Sequence, residues 1–136
     1  SSTIKKYLDY FEDSFLIEAA GRYNIIIYNE LRMRDYNVDV GIIPVSEKDK
    51  NGKVIKKQLK VDFVCNLGSA RYYIQSAYSL PDEAKRTQEI RPFRKIDDSF
   101  KKIVVTKDII APYYDEYGIL TMNIYDFLLN PRSLEQ

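Results

Sequence analysis

Leu59-Lys60-Val61-Asp62-Phe63-Val64-Cys65, the turn Asn66-Leu67-Gly68-Ser69, and Ala70-Arg71-Tyr72-Tyr73-Ile74-Gln75-Ser76-Ala77-Tyr78 decide the fold. Apolar residues alternate with others up to Cys65, the period of a strand. A tight turn follows, and a second strand returns from Arg71 to Tyr78. The first strand carries one acid, Asp62, and the second ends on Gln75-Ser76-Ala77. Alternation points Leu59, Val61 and Phe63 one way and Lys60, Asp62 and Val64 the other. Tyr73, Gln75 and Ala77 share a face, so Asp62 and Gln75 are expected to look into one shallow site.

Upstream, Val38, Val40 and Ile42 keep period two, and Pro44 marks an edge or a strand end. Asn51-Gly52 is a strong hairpin signal. Together these runs predict a three-stranded antiparallel meander. Before it, Ser2 or Thr3 can cap a helix whose apolar face holds Ile4, Tyr7, Leu8, Phe11, Phe15 and Leu16. Gly21 breaks that pattern, and a second helix is expected from about Asn24 to Asp35. After the meander, Pro81-Asp82-Glu83 opens a helix running to about Ile96, with Pro92 set to kink it. Ile103-Val104-Val105 reads as a buried strand. A last strand, Ile119 to Met122, leads to a short helix, Ile124 to Leu129. The order α-α-β-β-β-α-β-β-α predicts a mixed sheet flanked by helices, an α/β or α+β architecture. A right-handed crossover places the Ile103–Thr106 strand parallel to one member of the meander.

Composition narrows the chemistry. At 136 residues the chain suits one domain better than two. Its 21 basic and 20 acidic residues leave a net charge of +1, without the overall basic excess of a dedicated duplex-DNA binder. With no histidine, Ser-His and Cys-His catalysis and most zinc sites are excluded. The one cysteine, Cys65, reads as a buried small hydrophobe and fits a reducing cytoplasm. Twelve tyrosines without tryptophan suit core and rim packing better than base stacking. No apolar run approaches a membrane span and no apolar signal core opens the chain, so a cytoplasmic protein without a membrane partner is expected. Neither GxxxxGK[ST] nor GxGxxG occurs.

Hydrolysis of a phosphodiester by magnesium needs hard oxygen ligands, usually two acids, and a nearby cation. The candidate catalytic residues are Glu30 on the second helix, Asp62 and Gln75, with Glu30 and Asp62 as the metal ligands. Gln75 offers only a neutral oxygen, and Ala77 offers nothing where a lysine is needed. Lys60 lies on the Asp62 face, and Arg71 and Arg86 are nearby in sequence, so a displaced cation is an option. The competing reading makes Asp62 a strand acid paired with a neighbouring base and Gln75 a hydrogen-bonded polar residue. The run Lys53, Lys56, Lys57 and Lys60 can touch phosphate or guard a sheet edge.

A series of landmarks resembles a known family. They are Asp9-Tyr10-Phe11-Glu12-Asp13-Ser14-Phe15-Leu16-Ile17, Tyr28-Asn29-Glu30-Leu31-Arg32, Val61-Asp62-Phe63-Val64 and Tyr73-Ile74-Gln75-Ser76-Ala77-Tyr78-Ser79-Leu80. Lys95-Ile96-Asp97-Asp98-Ser99-Phe100-Lys101-Lys102, Gly118-Ile119 and Asp126-Phe127-Leu128-Leu129 complete the series. In order and number they are similar to the C-terminal domain of unknown function that follows the ATPase domain in many bacterial and archaeal AAA-type ATPases. The resemblance implies a restriction-endonuclease-like, PD-(D/E)XK-like α-β-β-β-α-β core with an extra N-terminal helix and a short C-terminal helix. It also implies a parent protein whose ATP-binding P-loop domain is absent here. Where the family motif reads Glu-Val-Asp-Phe, Lys60 replaces the glutamate. Family members place several dozen residues where Asn24 abuts Ile25 in this chain. The expected organisation is thus an N-terminal helical segment, 1–24, and a restriction-endonuclease-like domain, 25–136.

The expected function is that of a nuclease-like, catalytically inactive module of an ATPase. It would serve regulation, docking on its own ATPase domain or another protein, or contact with DNA or RNA. The alternative is a magnesium-dependent nuclease with a divergent site. No cofactor is expected in this chain beyond magnesium at a vestigial site. Docking would use the first helix's apolar face, including Phe11 and Phe15.

Overall fold

The two glycine turns, at Gly52 and Gly68, have backbone φ of +77° and +59°, values that side-chain-bearing residues rarely adopt. They fold residues 37–77 into the expected meander. The computed structural model describes residues 2–136, apart from the side chains of residues 2, 11–13 and 15–17. The predicted apolar positions Phe11, Phe15 and Leu16 lie outside the described side chains.

In chain order the elements are α1 (Ser2–Met33), β1 (Asn37–Lys48), β2 (Val54–Leu67), β3 (Ala70–Ala77) and α2 (Glu83–Arg94), followed by β4 (Lys101–Thr106), β5 (Tyr113–Tyr114), β6 (Leu120–Asn123) and α3 (Ile124–Leu129). A 3-10 turn, Ser133–Glu135, closes the chain. The protein is α/β, with one six-stranded mixed sheet in the order β1-β2-β3-β4-β6-β5. β1, β2 and β3 pair antiparallel, and β3, β4 and β6 pair parallel. β4 therefore lies parallel to a member of the meander, as the crossover rule requires.

α1 and α3 cover one face of the sheet and α2 the other. Ile27 and Leu31 of α1 and Phe127 of α3 bury against Phe63, Cys65 and Ile74. Ile90 and Phe93 of α2 bury against Val61, Tyr73, Ala77 and Val104. Two departures from the sequence reading matter here. Gly21 does not end a helix: α1 runs unbroken for 32 residues. An exposed glycine costs a helix only about 1 kcal/mol, too little to stop it. The second departure is a β-bulge.

β1 pairs Asp39 with Val64 and then Gly41 with Val61, so Asp62 and Phe63 together oppose Val40. The extra residue shifts the alternation. Val61 and Val64 face α2, whereas Phe63 and Cys65 face α1. This corrects the expectation that Val61 and Phe63 point the same way. Gly41 accommodates the bulge. A Cβ built there would lie 2.9 Å from Val64 Cγ2 and 3.1 Å from Val61 Cβ. Both neighbours are β-branched and stiff. Gly41→Ala is expected to cost about 1–2 kcal/mol in urea denaturation, although alanine is a better strand residue than glycine.

Candidate functional site

Pairing between β2 and β3 ends at Phe63 and Ile74. Beyond that point β2 carries on with β1 alone, and β3 carries on with β4. Asp62 and Gln75 stand at the fork. Side chains there replace the missing backbone ladder. The Asp62 N–H donates to Gln75 Oε1 at 2.8 Å, and the Ser76 N–H donates to Asp62 Oδ2 at 2.8 Å. Gln75 Nε2 donates to the carbonyls of Glu89, in α2, at 3.1 Å and of Lys60 at 3.4 Å. Gln75 is only 5% exposed, and its amide uses both ends to tie β2, β3 and α2 together. Buried amides in this position stabilise because backbone groups at a strand fork would otherwise lack partners.

The electrostatics agree with enclosure. Burial pushes the Asp62 carboxyl above its ordinary value, the Ser76 N–H and Lys60 pull it back, and Glu89 pushes it up again. Burial also pushes the Cys65 thiol up to about 12, which leaves it an unreactive core residue.

The structure brings Asp62 and Gln75 together, as alternation predicts, but does not bring Glu30 to them. The Glu30 carboxylate accepts from Arg34 Nε at 2.9 Å. Arg34 in turn donates to Ser133 Oγ and to the Phe127 carbonyl, so the pair belongs to the α1–α3 side of the sheet. Gln75 faces the other helix. Expected convergence of Glu30, Asp62 and Gln75 in one site is therefore corrected. An acid whose charge reaches Asp62 is Glu89, which pairs with Lys85 at 3.1 Å. Sequence reasoning missed Glu89, because nothing in the chain shows how α2 is rotated against the sheet. Among the cations singled out, Arg86 is buried and pairs with Asp115 at 2.7 Å, while Arg71 donates to Asn66.

Most of these oxygens are already engaged by protein groups. One Asp62 oxygen and the Gln75 oxygen accept backbone N–H groups, and Glu30 is occupied elsewhere. Among the described residues no group of three or more His, Cys, Asp or Glu side chains is placed to hold a metal ion, and no buried side-chain nitrogen or oxygen lacks a partner. No helix of the described residues is long and apolar enough to cross a membrane.

No family model matches the chain. No solved structure matches it. It is similar to an uncharacterized protein of Haemophilus influenzae, with 25% identity over 167 residues, covering 93% of this chain and 37% of the relative. The aligned stretch is longer than this chain, so the relative carries inserted residues with no counterpart here.

Proposed function

We propose that this chain is a non-catalytic, restriction-endonuclease-like binding module of a larger cytoplasmic ATPase. In this reading it acts in regulation, through its own ATPase domain, another protein or nucleic acid. The observation that carries the reading is the hydrogen-bond set of Asp62 Oδ2 and the Gln75 amide. At the position where the family fold mounts metal ligands, both residues are committed to backbone groups. The succession α1-β1-β2-β3-α2-β4 supports the nuclease-like ancestry. The much greater length of the Haemophilus relative supports the reading of a module within a longer protein. ATP would bind in the ATPase domain of that larger protein.

One observation favours the alternative, a magnesium-dependent nuclease with a divergent site: Glu89 and Lys60 lie close enough to Asp62 to shift its titration. Incubation with plasmid, single-stranded DNA and RNA in millimolar magnesium or manganese separates the two. No cleavage of any of them is expected. Cleavage that disappears in Asp62→Ala would replace the binding-module reading with the nuclease.

A further inference from the structure

The half of the β1–β2 hairpin beyond the fork has no third strand beside it. From Gly41↔Val61 to Lys48↔Val54 it is a two-stranded ribbon of eight residue pairs. At about 3.4 Å per residue it extends about 25 Å.

Its two faces differ in chemistry. The inner face leans on α2: Ile43 packs against the cluster holding Ile90 and Phe93, and Glu47 pairs with Arg91 and with Lys57. The outer face is exposed along its whole length and presents Lys48, Lys56, Gln58 and Lys60 with Ile42 and Val54. It holds no acid. The acids of the ribbon are turned away from it: Glu47 is in the inner ion pairs, and the Asp49 carboxylate accepts the N–H groups of Asn51 and Lys53 in the turn. Lys48, Lys50, Lys53, Lys56 and Lys60 make no ion pair among the described residues.

Charge is therefore segregated in a chain that is nearly neutral overall. Residues 41–61 hold six lysines against two acids, net +4. The remainder holds 15 basic and 18 acidic residues, net −3. A projecting basic ribbon on an otherwise acidic body complements a polyanion. The major groove of B-form DNA, about 12 Å wide, admits a two-stranded ribbon, whereas the deep, narrow major groove of an RNA duplex does not. Residues 41–61 contain no aromatic side chain. A stacking platform for single strands is thus missing, and so are the aromatic anchors of a membrane-surface element. Lysine contacts phosphate as a point charge and carries little base information.

We infer that the outer face of this ribbon binds the phosphate backbone of duplex DNA without sequence preference. The inference rests on the reading of the chain as a non-catalytic binding module and names that module's partner.

Fluorescence polarisation with a labelled mixed-sequence DNA duplex tests it on the 136-residue chain. Three phosphates neutralised by Lys48, Lys56 and Lys60 give a slope of log affinity against log salt of about −2.7, or roughly a forty-fold loss for a fourfold rise in salt. The triple variant Lys48→Ala, Lys56→Ala, Lys60→Ala is expected to lose more than about tenfold in affinity at low salt and most of that slope. The charge-matched control Lys5→Ala, Lys6→Ala, Lys95→Ala is expected to stay within about threefold, because it leaves the ribbon's phosphate contacts intact. Both variants are expected to melt as the wild type does, since all six side chains are at the surface. Failure of the wild type to bind duplex at low salt overturns the inference. So does an equal loss in the control, or tighter binding to phosphatidylserine vesicles or single-stranded DNA. Cleavage of the duplex with the same lysine dependence would support the ribbon and overturn only the non-catalytic reading.

Discussion

Gln75→Glu is expected to destabilise the protein by about 3 kcal/mol at neutral pH, although it exchanges one nitrogen for one oxygen. The retained oxygen still accepts the Asp62 N–H. The new oxygen faces the carbonyls of Glu89 and Lys60, to which the amide now donates. Both carbonyls lose a donor, and the charge sits where the wild-type side chain is 5% exposed. Asp62 and the Glu89 carboxylate add like-charge repulsion. All three effects raise the folded-state pKa of the new carboxyl above its ordinary value, roughly 4.3. Below the ordinary value the group is protonated in both states and can donate once more, so most of the loss is recovered. As pH rises through the raised folded value the unfolded state ionises first, and stability falls. Urea denaturation at about pH 4 and about pH 7.5 reads this directly. A variant as stable as the wild type at both would mean that the Gln75 amide is not bonded as described.

Arg34→Met is expected to cost about 3 kcal/mol, or roughly 10 °C in melting temperature. Arg34 has a side chain only 9% exposed and four partners. It pairs with Glu30, donates to Ser133 Oγ at 2.9 Å and to the Phe127 carbonyl at 2.5 Å, and lies over the Phe127 ring at 4.7 Å. Ser133 Oγ also donates to that carbonyl, so one guanidinium joins α1, α3 and the closing 3-10 turn. Methionine keeps most of the volume but strands the Glu30 carboxylate, which is 18% exposed. The double variant Glu30→Gln, Arg34→Met is expected to recover about 1 kcal/mol, the penalty of the stranded charge. A metal-ligand role for Glu30 predicts something different: Glu30→Gln alone would then leave stability unchanged or raise it. Here it is expected to lower it, because a buried arginine loses its counter-charge.

Much of this architecture is legible in the residues themselves. Asn51-Gly52 and Asn66-Leu67-Gly68-Ser69 place both hairpin turns, because only a few residue types tolerate the backbone they need. Pro81-Asp82-Glu83 places α2, whose N-cap Asp82 accepts the Lys85 N–H. The juxtaposition of Asp62 and Gln75 follows from strand alternation plus the turn between them. The bulge does not show, because Val61, Phe63 and Cys65 read as one continuous apolar stripe whether or not a residue is inserted. Its only sequence trace is Gly41 on the partner strand, where any side chain would meet Val61 and Val64. The direction of Glu30 is equally hidden. Helical spacing puts it near Arg34, but only the docking of α3 decides that the pair turns away from the fork. The lysines at 53, 56, 57 and 60 look like one basic run in sequence. Alternation divides them, sending Lys57 to Glu47 on the inner face and leaving Lys56 and Lys60 outside.

In the proposed reading the Asp62–Gln75 pair ties β2, β3 and α2 together across the strand fork and holds no metal ion. Amide NMR of the uniformly labelled chain tests it most directly, by hydrogen exchange and by titration with paramagnetic manganese. Asp62 and Ser76 have backbone N–H groups bonded to side chains of the pair, at 2.8 Å each. Both amides are expected to exchange slowly, as bonded groups shielded from solvent do, and manganese is expected to leave their signals unbroadened. Fast exchange at both positions, with manganese broadening centred on Asp62 and Gln75, would contradict it.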